Sequence, residues 1–280
     1  MAYDGYQHLR IAKDGRIVTA TIDNPPINLI TLALYGELAR LSEELEADRD
    51  ALVFVLKSAN PDFFLAHFDV EAILDFPTDQ PATREASARN DYHAMCERFR
   101  TMDKLTIAQI EGRVGGGGSE LSMAFDMRFG VIGKTIINQM EVPIGILPGG
   151  TGTQRLPRLI GRDRALEVIL GGIDLDAETA ERWGYLTRAF ARDQIGPYVA
   201  RLAARVASFP APAVRLAKQA VNAAGEMPLA EGLGEESYLF QCLLRTEEAQ
   251  SAMKRFLALG GQTREGELHV ADLSEKVAKG

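Results

Sequence analysis

The sequence predicts an α/β body with parallel strand pairing, followed by a predominantly helical C-terminal region. Three observations predict it. Between residues 17 and 110, short β-branched or apolar runs alternate with apolar stripes at helical spacing. One of those runs is apolar at nearly every position, as a strand covered on both faces must be, and beyond Arg162 only helical patterns recur. The 26 Gly and 12 Pro are spread along the 280 residues without forming a linker. One main body with an appended segment is therefore expected, divided as 1–207 and 208–280.

Taken in order, Ile17 to Ile22 (IVTATI) is β-branched at most positions and is stopped by Asn24-Pro25-Pro26, a strand followed by a turn. Leu34, Leu38, Leu41 and Leu45 recur at steps of four, three and four, while Glu37, Glu43, Glu44 and Glu46 fall largely elsewhere, which predicts an amphipathic helix. Ala51 to Leu56 (ALVFVL) is the near-continuous apolar run and reads as a buried parallel strand. Ala88, Tyr92, Met95, Phe99 and Met102 trace a second helical stripe, and Leu105 to Ile110 (LTIAQI) supplies the next strand. Helices are then expected at 162–170, 177–183, about 194–208, 212–224 and 228 to about 258. The stretch from Gly260 to Gly280 is polar with little periodicity and reads as extended, partner-bound or frayed.

Composition excludes several classes of function. With 31 Lys and Arg against 39 Asp and Glu, the net charge of -8 argues against a primary role in nonspecific nucleic-acid binding, which depends on neutralising phosphates. Cys96 and Cys242 lie too far apart for a CxxC pair, so a reducing, cytoplasmic setting is the simpler expectation. No basic stretch followed by an apolar run opens the chain, and long apolar stretches are interrupted by charges such as Asp126 and Arg128. Neither a signal peptide nor a membrane partner is expected. The four histidines (His8, His67, His93, His269) form no metal-ligand spacing, and His93 with Glu97 reads as a solvated i,i+4 pair.

Three segments carry candidate chemistry. The first, Gly115-Gly116-Gly117-Gly118-Ser119-Glu120, joins the 105–110 strand to an apolar segment, Leu121 to Phe125, that looks helical. Familiar motifs fail here: a dinucleotide fingerprint needs Gly where Glu120 stands, and a Walker loop ending at Lys134-Thr135 needs Gly where Arg128 stands. A nucleophile elbow at Ser119 needs Gly where Leu121 stands. Exposed N–H groups at a helix N-terminus would suit an anion or oxyanion, with Glu120 one turn beyond Gly117; tight strand-helix packing explains the glycines equally well. The second segment is Glu141 before a Pro- and Gly-rich turn running to Leu156. Apolar neighbours there would raise its pKa for proton donation, or it is a surface Glu at a strand end. The third, Phe63 to Asp69, reads as a loop entering a helix capped by Asp69.

Together these segments resemble the enoyl-CoA hydratase/isomerase (crotonase) superfamily. Phe64-Leu65-Ala66-His67-Phe68-Asp69 resembles its Phe-x-Ala-Gly-x-Asp loop, Gly116-Gly117-Gly118-Ser119-Glu120-Leu121 its Gly-Gly-Gly-x-Glu-Leu loop, and Glu141 through Leu156 its most specific run. The likeness continues through Leu175-Asp176-Ala177 and Ala180 to Gly184. It implies a spiral of ββα units with a C-terminal helical region used in homotrimers, often paired into hexamers. It further implies an oxyanion hole from the Ala66 and Gly117 N–H groups, catalytic Glu120 and Glu141, and substrate contacts at His67, Phe68, Gly116 and Gly149. The implied substrate is an acyl-CoA thioester, with coenzyme A part of the substrate and no separate cofactor or metal.

The implied reaction is hydration of a trans-2-enoyl-CoA. Isomerisation, thioester hydrolysis, carbon–carbon cleavage and noncatalytic acyl-CoA binding are the alternatives. His67 departs from the resemblance, standing where the family's loop usually has Gly; it is a loop substitution, a CoA contact or a third catalytic group. The turn Asp23 to Asn28 lacks the basic residue often found there, and Leu257-Ala258-Leu259-Gly260 lacks the usual Glu-Lys-Arg.

Overall fold

In the computed structural model, which describes residues 3–85, 87–88 and 90–279, the chain opens with a hairpin that the sequence reading passed over. Leu9–Asp14 (β1) pairs antiparallel with Ile17–Ile22 (β2), turning at Gly15 with φ +54. Leu32–Ala47 (α1) follows, capped by Thr31, whose side chain accepts from Leu34 N. Its four stripe leucines are all buried, as the spacing required. Val53–Ser58 (β3) runs parallel to β2, with Ile17 opposite Val53 and Ile22 opposite Ser58. The strand therefore starts two residues later than the apolar run at Ala51, because Leu52 N and Val53 N both turn to the Arg16 carbonyl.

Phe63–Leu65 (β4), Val70–Leu74 (α2) and Asp91–Thr101 (α3) come next, with Asp69 capping α2 as expected. The α3 helix begins at Asp91 because the Asn90 side chain caps it by accepting from His93 N. Ala88 lies outside it and exposed, which corrects the stripe at its first position. Leu105–Ile110 (β5) is buried at every residue, and Phe54, Phe99 and Phe125 stack beside it with centroids 5.1 to 5.8 Å apart.

Arg113–Gly115 (β6), Gly116–Ser122 (α4), Met127–Val131 (β7) and Ile136–Asn138 (β8) continue the alternation. The α4 helix occupies the glycines themselves and ends at Ser122, where Leu121 to Phe125 was the expected helix. A 3-10 turn at Val142–Ile144 leads into Gly152–Ile160 (α5), Arg162–Gly171 (α6), Leu175–Asp176 (β9), Ala177–Trp183 (α7) and Arg188–Phe190 (β10).

Six strands form one sheet in the order β1-β2-β3-β5-β7-β10, and four form a second in the order β4-β6-β8-β9. The neighbours β2–β3, β5–β7, β7–β10, β4–β6 and β6–β8 are parallel. Successive strands from β3 to β8 thus alternate between the two sheets, which is the ββα spiral. Because β4, β6 and β8 are parallel neighbours in the second sheet, the segments that follow them leave it at the same end.

The C-terminal region is helical: Arg192–Ala207 (α8), Ala211–Ala223 (α9), Leu229–Leu244 (α10), Glu247–Ala258 (α11), Arg264–Leu268 (α12) and Val270–Lys279 (α13). Two expectations are corrected here. The helix expected from 228 to 258 is broken at Thr246, whose side chain caps α11 by accepting from Ala249 N. The stretch after Gly260 is not extended: Thr263 caps α12, Leu273 on α13 is buried, and Arg255 Nε donates to the Val277 carbonyl at 3.1 Å.

The chain divides into two compact units, one of residues up to Met102 with Thr106–Ala200, the other of Asp103–Leu105 with residues from Arg201 onward. Within the second, Lys218 Nζ donates to the Lys104 carbonyl and Arg215 pairs with Asp103. Among the described residues no helix is long and apolar enough to cross a membrane.

Candidate active site

The three candidate segments converge at the start of α4. Gly116 has φ +44, a conformation that disfavours any side chain, and a Cβ there would lie 2.9 Å from His67 Cβ and 3.0 Å from Glu141 Oε1. A Cβ on Gly118 would lie 2.5 Å from Leu65 Cβ. The glycines therefore serve close approach: they let the strand end Leu65 to Phe68 lie directly on the helix N-terminus. Because the helix begins at Gly116, the Gly117 N–H is in the first turn, where amides have no intrahelical acceptor.

The loop bearing Ala66 is fixed from the other side by the first turn. Asn28, buried with φ +52, donates from Nδ2 to Ser58 Oγ, Phe63 O and Phe64 O at 2.8 to 3.2 Å, and Ile30 N donates to the His67 carbonyl at 2.8 Å. The Ala66 N–H donates to the Asn28 carbonyl at 3.3 Å, beyond the usual range for such bonds. An anion at this point competes with a long neutral bond, and charge-assisted bonds are the stronger kind.

Glu120 is 3% exposed. Its Oε1 accepts from Gly150 N at 2.8 Å and from Gly152 N, at the start of α5, at 2.7 Å. Burial raises its pKa to about 7; the Glu141 charge adds to the rise and the two amides oppose it. The Gly149–Gly152 loop is in turn tied to α3, since His93 Nε2 donates to the Gly149 carbonyl at 2.6 Å. His93 thus does not serve as a partner for Glu97, whose carboxylate takes Arg100 and Arg155 instead. The neighbouring Tyr92 hydroxyl donates to the Gly117 carbonyl at 2.7 Å, so α3 grips both walls of the site.

Glu141 is 6% exposed, which excludes the reading of a surface Glu at a strand end. Burial pushes its carboxyl above the ordinary range, against the pull of its own and Met140's backbone amides. With the Gln139 amide turned to satisfy both its ends, its nitrogen donates to Glu141 Oε2 at 3.0 Å and Oε1 at 3.1 Å. Its oxygen then accepts from Ser119 Oγ at 3.0 Å. Ser119 Oγ lies 2.8 Å from the hydroxyl of fully buried Tyr185, completing a polar chain from Tyr185 to the carboxylate. Sequence reading missed Gln139, Ser119 and Tyr185 as supports; Gln139, two residues before Glu141, was the one visible signal.

His67, Phe68, Gly117, Glu120, Glu141 and Gly149 all line one cavity of about 520 Å³, with Gly116 directly behind it at His67 and Glu141. His67 Nδ1 lies 2.8 Å from the Phe68 carbonyl. Since a carbonyl only accepts, Nδ1 carries the proton and Nε2 is left as the free ring nitrogen. Tyr35, Phe68 and Tyr92 form an aromatic wall with centroids 5.7 to 6.1 Å apart. Among the described residues no group of three His, Cys, Asp or Glu side chains could hold a metal ion.

The chain as a whole is similar to known proteins. The enoyl-CoA hydratase/isomerase family model matches residues 12–261. A protein of Rhizobium meliloti (strain 1021) named "Probable enoyl-CoA hydratase" is 34% identical over 257 residues, covering 90% of this chain and 96% of its own length. Another, "Probable enoyl-CoA hydratase echA8" of Mycobacterium bovis, is 30% identical over 253 residues, covering 90% and 95%. The crystal structure of an enoyl-CoA hydratase from Bacillus anthracis superposes with a TM-score of 0.82 at 27% identity, covering 90% of this chain and 96% of that one.

Proposed function

The chain belongs to the enoyl-CoA hydratase/isomerase family, and from that premise we propose that it is a hydro-lyase adding water across the double bond of a trans-2-enoyl-CoA to give a 3-hydroxyacyl-CoA. One observation carries the reading: two buried carboxylates with raised pKa values, Glu120 and Glu141, line one cavity beside the amide of Gly117. Two carboxyls whose burial makes them hold a proton more readily than ordinary carboxyls are what addition of H and OH to one double bond requires, one to take a proton and one to give it.

The thioester carbonyl sits between the Ala66 and Gly117 amides, which take up the negative charge that develops on its oxygen as water attacks C3. Losing one such donor typically costs about 10²–10³ in rate. Glu120, its Oε1 held by Gly150 and Gly152, uses Oε2 to orient and deprotonate the attacking water. Glu141 delivers the proton to C2. His67, Phe68, Gly116 and Gly149 shape the pocket around the thioester. Neither a separate cofactor nor a metal enters the steps.

We further place the protein in the cytoplasm as a homotrimer or a pair of trimers. The support for the oligomer is the exposed apolar side chains on its C-terminal helices, among them Leu229, Leu233, Phe240 and Leu257. Light scattering that gives a stable monomer contradicts this.

Mass analysis tests the reaction. Incubation with trans-2-enoyl-CoA thioesters is expected to yield a product heavier by one water. A product of unchanged mass, free CoA, or a shortened acyl chain would instead identify an isomerase, a hydrolase or a lyase of carbon–carbon bonds.

A further inference from the structure

Each half of the proposed oxyanion hole is held by a side chain from another part of the chain. On the Ala66 side it is Asn28, whose amide donates to the Phe63 and Phe64 carbonyls. On the Gly117 side it is Tyr92 of α3, 25 positions away, whose hydroxyl donates to the Gly117 carbonyl at 2.7 Å.

Gly117 needs such a hold. The α4 helix opens on Gly116-Gly117-Gly118, and glycine disfavours a helix more than any residue except proline. The turn that carries the amide is therefore the one least able to keep its own shape. A better helix former does not fit there, since a Cβ on Gly117 would lie 3.2 Å from Phe68 Cβ and 3.3 Å from the Tyr92 hydroxyl. Rigidity has to come from outside the helix.

The ring and the hydroxyl of Tyr92 have separate tasks. The ring stacks on Tyr35 with centroids 5.7 Å apart and meets Phe68 edge-on at 5.9 Å. It also fills the space beside Gly150, where a Cβ would lie 2.9 Å from Tyr92 Cε1. Phenylalanine at this position keeps every one of these contacts. What is left for the hydroxyl is the Gly117 carbonyl. Its single hydrogen is committed there, so it has none to offer a substrate oxygen. Burial, with Cys96, Glu120 and Glu141 adding to it, pushes the phenol well above its ordinary pKa, so the hydroxyl remains a donor at neutral and mildly alkaline pH.

We propose that Tyr92 is a positioning residue: by holding the Gly117 carbonyl, its hydroxyl keeps the Gly117 amide aimed at the thioester oxygen while negative charge grows on it. This rests on the acyl-CoA reading above. An oxyanion donor is effective because it is fixed in advance, and removing the hydroxyl loosens it without touching substrate, Glu120 or Glu141. The loss therefore falls on kcat and not on KM.

The test compares the full chain with Tyr92→Phe. Butanoyl-CoA labelled with carbon-13 at its carbonyl is saturated, so it binds without turnover, and polarisation of the carbonyl moves its infrared band to lower wavenumber. Tyr92→Phe is expected to lose at least half of the shift that the parent produces. For trans-2-enoyl-CoA hydration it is expected to lower kcat by roughly fivefold or more, with KM within about twofold and circular dichroism unchanged. The acid limb of kcat/KM should stay in place, because Glu120 and the titratable groups facing it, Glu141, Cys96 and Tyr185, are undisturbed. A shift reduced by less than half, a smaller loss of kcat, a loss carried by KM, or a limb that moves overturns the proposal. No shift in the parent refutes the oxyanion reading and this inference together, whereas a shift that survives in the variant refutes this inference alone. If the parent shifts the band yet hydrates no enoyl-CoA, the hydration reading falls and the infrared comparison still decides the role of Tyr92.

Discussion

Glu120 and Glu141 are about equally deep in the same cavity, yet Glu120 is held by the amides of a second loop, whereas Glu141 has a side-chain donor, Gln139, beside the amides of its own segment. The Glu120 carboxylate is fixed by two amides of the Gly149–Gly152 loop, in a space where a Cβ on Gly150 would lie 2.5 Å from its Oε2. The Glu141 carboxylate is fixed at the end of β8 by Gln139, itself anchored through Ser119 to Tyr185. Backbone donors cannot rotate away, so they favour a fixed water-orienting base. A side-chain donor leaves the carboxyl able to change its protonation state with its partner in place, which suits a proton donor. The difference teaches that burial raises both pKa values, while the donors decide which role each carboxyl takes.

The largest effects should come from the carboxyls themselves. Glu120→Gln and Glu141→Gln are each expected to lower kcat by about 10²–10⁴ with circular dichroism unchanged. A variant that keeps near-parent turnover removes that residue from the mechanism. Next comes Gly150→Ala, whose methyl displaces the Glu120 carboxylate; a loss of about 10- to 100-fold in kcat is expected, because small misplacements of a catalytic group are costly. An unchanged kcat would show that the backbone grip on Glu120 is dispensable.

Gln139→Met probes the other grip. It removes donors from the ionised form of Glu141, so its pKa should rise further, moving the alkaline limb of kcat upward and lowering kcat roughly tenfold. If the limb stays in place, Gln139 has only a packing role. The parent pH profile follows from Glu120: the base must be ionised, so kcat/KM should fall as pH drops through about 7.

The smallest effect is on stability and runs opposite to activity. The folded-state pKa of Glu120 is raised, so this residue's contribution to stability is most favourable at pH values below the unfolded pKa and is lost as pH rises through about 7. Glu120→Gln removes that loss and should be more stable than the parent at pH 8 by about 1–3 kcal/mol, the two converging near pH 4. Denaturant melts at both pH values check it.

Much of this site is written locally. Gly116 to Glu120 and Glu141 to Leu156 each carry their chemistry in contiguous residues, and the leucine stripe of α1 and the apolar run of β3 obey simple periodicities. What escaped sequence reading depends on distant pairs. Tyr185 reaches Ser119 across 66 positions, and no spacing encodes that. His93 was read with its helical neighbour Glu97, whereas its partner is the Gly149 carbonyl, supplied by another loop. The helices after Gly260 failed for a different reason: they are short and mostly polar, so capping at Thr263 and the buried Leu273 do what an apolar stripe does elsewhere. The break at Thr246 was legible, since a Thr followed by Glu247-Glu248 is a helix-start signal, but the longer apolar pattern masked it.

The central claim is that Glu120 and Glu141 act on one water at an enoyl thioester. The most direct measurement is the loss of the conjugated-thioester absorbance at pH 8 when the parent protein and Glu120→Gln meet a panel of trans-2-enoyl-CoAs of increasing chain length. The account predicts rapid loss with the parent and a rate at least 10²-fold lower with the variant. An absorbance that persists with the parent across the panel, while acyl-CoA binding is intact, would contradict it.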